Sequence, residues 1–371
     1  MYSDIPFWLS LVLMLGGLAV LAWSSDVFVD GAAAVAKALG ISPFIIGMVI
    51  IGFGTSAPEL CVSTMSGLSG HANLSLGNAY GSNIFNIAMI LGIAVLIFPL
   101  VVRPSVSFVA GPGLAAISLF SLWVLSDGVC SRFEACLLLG AFLVILPLYC
   151  WYGQKTKNAG DLSAPEETGT SPPRIWVSLL KVAGGLGLLI GSSHLLVWGA
   201  VDFAKFCGVS DLVIGLTIVA AGTSLPELAS AVASARRGEH EFVLGNIIGS
   251  NFFNTLAVVG LSTVISPLVP GPNGEQAFSH YILTRDIPLM TVLSLSILFL
   301  GINWKHPKWP GAIQRKEAWI WIVTFVGYTL LMFYQETNWC GRSVRPARSS
   351  RTCRACDATG REAAQSDLCA G

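Results

Sequence analysis

Only 11% of the 371 residues are charged, 54% are hydrophobic, and the mean hydropathy is +0.70. A water-soluble domain carries about a quarter charged residues, so lipid is the solvent for most of this chain and a soluble enzyme is excluded. The 21 basic and 21 acidic residues leave no net charge, which gives no reason to expect nucleic acid as a partner.

In chain order, the first apolar run, 7–29, lacks the basic n-region and small-residue cleavage site of a signal peptide and reads as a retained span. Runs long enough to cross a hydrocarbon core of about 30 Å follow at 42–67, 77–99, 111–129 and 134–152. Residues 153–177, rich in Gly, Ser, Thr, Pro and charge, read as a short cytoplasmic linker. Five further spans follow at 178–201, 210–235, 245–267, 286–303 and 317–335. Residues 336–371 read as a disordered C-terminal tail; its Cys353 and Cys356 have no second ligand pair at zinc-site spacing. The nine cysteines are scattered, with Cys61, Cys136, Cys150 and Cys207 in or beside apolar segments, and make no disulfide framework.

Two strings occur twice. Gly54-Thr55-Ser56-Ala57-Pro58-Glu59-Leu60 returns as Gly222-Thr223-Ser224-Leu225-Pro226-Glu227-Leu228, and Gly77-Asn78-Ala79-Tyr80-Gly81-Ser82-Asn83-Ile84-Phe85-Asn86 returns as Gly245-Asn246-Ile247-Ile248-Gly249-Ser250-Asn251-Phe252-Phe253-Asn254, both at an offset of 168 residues. The same offset pairs Ser24-Ser25 with Ser192-Ser193, Gly47 with Gly215 and Pro99 with Pro267. The expected fold is therefore an all-α polytopic membrane protein with ten transmembrane helices as two five-helix repeats, 1–152 and 178–335. An odd number of spans per repeat makes the second copy inverted. With the N-terminus outside, the inside loops hold twelve Lys and Arg against three outside, the bias expected of cytoplasmic loops. The six arginines after residue 340 fall on the other side, but distal tails weigh little in this rule.

Each copy sets a proline and a carboxylate inside an apolar stretch. Proline removes one N–H and crowds the carbonyl four residues back, so Pro58 and Pro226 free carbonyls near Gly54-Thr55 and Gly222-Thr223. In lipid such groups need protein, water or a ligand. Hard cations take this kind of oxygen, and Glu59 and Glu227 bring negative charge one residue after the break. Thr55, Ser56 and Glu59 share a helix face, as do Ser82 with Asn86 and Ser250 with Asn254. For the four serines alone, a hydroxyl bonded to its own helix is an equal explanation, and for Gly77, Gly81, Gly245 and Gly249 close helix packing is an equal explanation. No Lys or Arg lies deep enough in a span to pair with either glutamate. Asp26, Asp30, Asp202 and Asp211 lie near span ends, are not preserved by the repeat, and read as interfacial; His71 and His240 read as solvated loop residues.

The doubled G-T-S-x-P-E-L and G-N-x-x-G-S-N-x-F-N strings resemble the alpha-repeats of the cation/calcium antiporter superfamily, in particular prokaryotic sodium/calcium exchangers. The resemblance implies that Glu59 and Glu227, with the Thr55 and Thr223 carbonyls, bind Ca²⁺. It also implies that Ser56, Ser82, Ser224 and Ser250 help form flanking Na⁺ sites, with Asn86 and Asn254 at the central polar positions. Some members carry aspartate where this chain has Asn254, so two carboxylates and no third acid stand in these strings. The expected function is a Ca²⁺/Na⁺ antiporter of a plasma or inner membrane, with both ions as cargo, no cofactor and no obligatory protein partner. An H⁺-coupled or K⁺-dependent antiporter of the same fold is the alternative; a channel and an intramembrane serine hydrolase using Ser56 or Ser224 are weaker ones. The first and sixth spans, with Gly16-Gly17 and with Gly184, Gly185, Gly187 and Gly191, are the expected gating elements.

Overall fold

The computed structural model describes residues 6–69, 72–158, 175–207, 220–270, 277–306 and 309–343. Most of the linker, the tail with Cys353 and Cys356, the first part of the 210–235 span with Gly215, and also His71 and Asp211, lie outside the described residues. The chain forms two compact units, Met1–Val326 and Gly327–Gly371; both signature strings lie in the first.

Helix α1, Phe7–Leu39, ends where Gly40 takes a left-handed φ of 62° and donates its N–H to the carbonyls of Ala36 and Lys37, the usual glycine stop. Helix α2, Pro43–Thr55, starts with Ser42 accepting from the Ile45 N–H and with proline at the first helical position. It bends by 44° into α3, Ala57–Leu68. Helix α4 covers Asn73–Ile97, α5 Pro104–Val124 and α6 Arg132–Asn158. A capping box opens α6: the Ser131 N–H donates to Glu134 Oε2 at 2.7 Å and the Glu134 N–H to Ser131 Oγ at 3.3 Å. Helix α7 is Ile175–Phe206, α8 Leu225–Arg236, α9 His240–Ile265, α10 Ile282–Gly301 and α11 Arg315–Ser343. Two three-residue strands, β1 (Leu100–Val102) and β2 (Gly311–Ile313), pair antiparallel with Val101 opposite Ala312.

Among the described residues six helices are long and apolar enough to cross a membrane, and a seventh span forms if the bent α2–α3 pair counts as one. The protein is an integral membrane protein, mostly helical. Helices α4 and α9 form its centre: 67% and 94% of their most apolar stretches are buried, against 22% for α1 and α7.

Glycines set how closely these helices approach. In α1 and α7 the partners run in reverse order: a Cβ on Gly17 would lie 2.8 Å from the Leu196 nitrogen, one on Gly31 2.9 Å from the Val182 nitrogen, and one on Gly185 2.9 Å from the Phe28 nitrogen. The two helices are therefore antiparallel with their backbones nearly touching. In α2 and α9, Gly52 faces the Ser250 nitrogen at 2.8 Å and the Asn246 carbonyl at 2.9 Å, while Gly245 and Gly249 face the backbone of Phe44 and Met48. The packing reading of Gly245 and Gly249 is the one observed. Gly52→Ala is expected to cost about 1–3 kcal/mol by overpacking, whereas Gly140→Ala, inside α6 with no atom within 4 Å, should be neutral or stabilising by up to about 1 kcal/mol. Thermal unfolding of the detergent-solubilised chains checks this pair.

Candidate functional site

The two signature strings fold alike. Ser56 leaves the helical region at φ −82°, ψ 8° and Ser224 at φ −92°, ψ 9°, and in each copy proline then opens the next helix with the glutamate in its first turn. A helix N-terminus presents unpaired N–H groups and partial positive charge, which is how an apolar stretch accommodates a carboxylate.

The two acids meet through each other's serines. Ser56 Oγ donates to Glu227 Oε1 at 2.9 Å, and Ser224 Oγ donates to Glu59 Oε1 at 2.9 Å. Both glutamates are fully buried and lie close enough for their charges to interact. Glu59 also engages the Thr223 side chain, and Glu227 the Thr55 side chain. Neither takes part in an ion pair with a described Lys or Arg. The second oxygen of each, Oε2, is buried without a hydrogen-bond partner among the described residues.

The remaining predicted residues surround this pair. Ser82 Oγ lies 3.4 Å from Ser224 Oγ, and Ser250 Oγ donates to the Gly52 carbonyl at 3.0 Å. All four signature serines therefore reach another helix, not their own. Thr55 Oγ1 donates to the Ile51 carbonyl at 2.9 Å and lies 3.4 Å from Asn246 Oδ1. Asn86 and Asn254 are fully buried, each within a π-helical turn, Asn86–Leu91 and Phe253–Val258; wide turns of this kind recur at functional sites. Asn86 Oδ1 and both polar atoms of Asn254 lack partners among the described residues. One freed carbonyl has been taken up: Ser193 Oγ donates to Gly222 O at 3.0 Å.

Four asparagines of the second string had no role assigned from sequence. Asn78 Nδ2 donates to the Glu59 carbonyl at 3.1 Å and to Ser63 Oγ at 2.9 Å; Asn246 Nδ2 donates to the Glu227 carbonyl at 3.1 Å and to Ser230 Oγ at 3.0 Å. Each asparagine thus fixes the backbone that carries a glutamate. Their recurrence in the repeat was the available signal. The serines gave none, because Ser63 stands four residues after its glutamate and Ser230 three, out of register with the repeat. Asn83 and Asn251 lie one position beyond Ser82 and Ser250 and tie α4 to α9.

Two placements differ from the sequence reading. Asp202, expected at the interface, is 8% exposed with Oδ2 unpartnered among the described residues, because it lies within α7. His240 opens α9 half-buried and is not a loop residue. Asp26 and Asp30 do lie at an exposed face, where Lys181 and Arg237 pair with them.

The model of the sodium/calcium exchanger protein family matches residues 9–151 and 177–334. The chain belongs to the sodium/calcium exchanger family. Its relatives include CaxA of Alkalimonas amylolytica, 38% identical over 87% of this chain and 98% of that one. The sodium/calcium exchanger MaX1 of Methanosarcina acetivorans is 28% identical, also over 87% and 98%. Among solved structures, the sodium-calcium exchanger NCX_Mj superposes with a TM-score of 0.71 at 27% identity, covering 86% of this chain and 98% of its own. Membership of this exchanger family makes the chain a cation/Ca²⁺ antiporter by class rather than an enzyme.

The asparagine clamps are open to a direct check. Asn78→Ala or Asn246→Ala removes two hydrogen bonds that hold the glutamate-bearing backbone, at an expected cost of about 1–3 kcal/mol. The loss should appear as a lowered unfolding temperature of the purified exchanger in detergent, whatever ion is present.

Proposed function

We propose that the chain is a secondary active antiporter exchanging Ca²⁺ for Na⁺ by alternating access. In this reading it comprises ten transmembrane helices in two inverted five-helix repeats, 1–152 and 178–335, joined by the cytoplasmic linker 153–177 and followed by the tail 336–371. It sits in a plasma or inner membrane with the N-terminus outside. Lysine and arginine distribution supports that orientation, and likeness to the sodium/calcium exchangers MaX1 and NCX_Mj supports the ion pair.

The observation that carries the proposal is the pair of buried glutamates held by reciprocal serines, each with an unpartnered oxygen and no basic partner among the described residues. Two bare carboxylates in a low-dielectric interior cost several kcal/mol each, and a hard cation with oxygen ligands removes that cost. Ca²⁺ would take Glu59 and Glu227 with the Thr55 and Thr223 carbonyls. Na⁺ ions would use Ser56, Ser82, Ser224 and Ser250, with Asn86 and Asn254 between them. These are cargo ions, and no cofactor is needed. Only the ion-loaded, neutralised site crosses the barrier readily, which couples the two fluxes. The α1–α7 pair, whose glycine contacts are backbone on backbone, is the element that would slide across the site.

Glu59→Gln or Glu227→Gln should lower Na⁺-gradient-driven ⁴⁵Ca²⁺ uptake into proteoliposomes by about a hundredfold or more, the effect of losing ~3 kcal/mol of charge-assisted binding. Parental uptake in either variant, or uptake driven by a pH or K⁺ gradient without Na⁺, contradicts the reading. Protons compete for the same two carboxylates, so uptake should fall as the medium goes from neutral to mildly acidic; a flat profile counts against carboxylate ligation.

A further inference from the structure

Asn83 and Asn251 occupy the same place in the two strings, 168 residues apart, as do Asn86 and Asn254. Their bonding differs. Asn251 Nδ2 donates to the Asn83 carbonyl at 3.2 Å, which turns Asn251 Oδ1 toward Asn86, whose Nδ2 donates to it at 3.0 Å. With its nitrogen committed, Asn86 has Oδ1 fixed as a free acceptor. The mirror arrangement would have Asn83 Oδ1 hold Asn254 Nδ2. Instead Asn83 Nδ2 donates to Thr255 Oγ1 at 2.7 Å and to Met290 Sδ at 3.1 Å. Asn83 Oδ1 and both amide atoms of Asn254 are left without partners among the described residues, at 0% exposure. The sequence explains the asymmetry: Thr255 corresponds to Ile87 in the first half, whose side chain cannot accept a hydrogen bond.

We propose that Asn83 is a positioning residue held away from Asn254 by Thr255 and Met290, so that Asn254 stays a reorientable ligand and Thr255 sets the balance between Na⁺ and Ca²⁺. The inference rests on the cation-site reading above. An amide that must turn its oxygen to an arriving ion loses rotamer freedom. The doubly charged ion orients that dipole more strongly, since the interaction scales with charge, and so bears the full ordering cost, whereas Na⁺ leaves the amide partly free and bears less of it. Releasing Asn83 to hold Asn254 Nδ2, as Asn251 holds Asn86, pre-sets the oxygen, removes that cost and favours the divalent ion.

Equilibrium ⁴⁵Ca²⁺ binding to the purified full chain, displaced by Na⁺, tests this. In Thr255→Val the Na⁺ concentration for half-displacement should rise about two- to tenfold, the ordering of one side chain expressed as affinity. Thr255→Ser, which keeps the hydroxyl, should retain the parental value, and Met290→Leu should shift it in the same direction by less. Met290→Leu carries the test if Thr255→Val does not fold. A parental displacement curve in the folded Thr255→Val or Met290→Leu chain, or an equal shift in Thr255→Ser, overturns the positioning role alone. A parent chain that binds neither ion overturns the functional reading, and the inference with it.

Discussion

Two carboxylates with no base between them are the constraint on which this structure depends. Glu59 and Glu227 are fully buried and each receives a hydroxyl hydrogen bond from the other half of the chain. A serine donor satisfies one oxygen but neutralises no charge. An internal Lys or Arg would have made the pair a structural ion pair; with none paired to them among the described residues, the interior there is short of positive charge. The surrounding polar groups agree with that reading, because the unpaired atoms there are mostly acceptors: both Glu Oε2 atoms and the side-chain oxygens of Asn83, Asn86 and Asn254.

Much of the fold follows from holding those two glutamates in register. The breaks at Ser56 and Ser224 put each acid at a helix start, where the N-terminal dipole favours it. Asn78 and Asn246 clamp the backbone beneath each acid. Glycines at 52, 245 and 249 let α2 and α9 cross with no side chain between them, so that Ser250 reaches the Gly52 carbonyl. The duplicated strings thus contribute both ligand candidates and the scaffold that aims them, which is why they are long and contain residues that never touch an acid.

The repeat made the centre of the site legible. Proline and glutamate in an apolar run cannot be neutral passengers, and their doubling at constant offset pointed to convergence. For the serines a hydroxyl bonded to its own helix was an equal explanation until Ser56 and Ser224 were seen crossing between halves. Four things were not legible. The π-helical turns at Asn86 and Phe253 have no hydrophobic period to betray them. The Ser63 and Ser230 clamps occupy non-equivalent positions and are invisible to a repeat search. Burial of Asp202 depends on how α7 packs, not on where its hydrophobic run ends. Asymmetry was the hardest to read, because Thr255 opposite Ile87 looks like drift until Asn83 is seen turned toward it.

The central claim is that Glu59 and Glu227 share one metal ion, and locating that ion tests it most directly. Crystals of the chain soaked with Sr²⁺ in low Na⁺ should give one dominant anomalous difference peak between the two carboxylates, at oxygen distances of about 2.3–2.6 Å, the range for Ca²⁺-like ions. An absent peak at saturating Sr²⁺, or a dominant peak bound by other residues, would contradict the account.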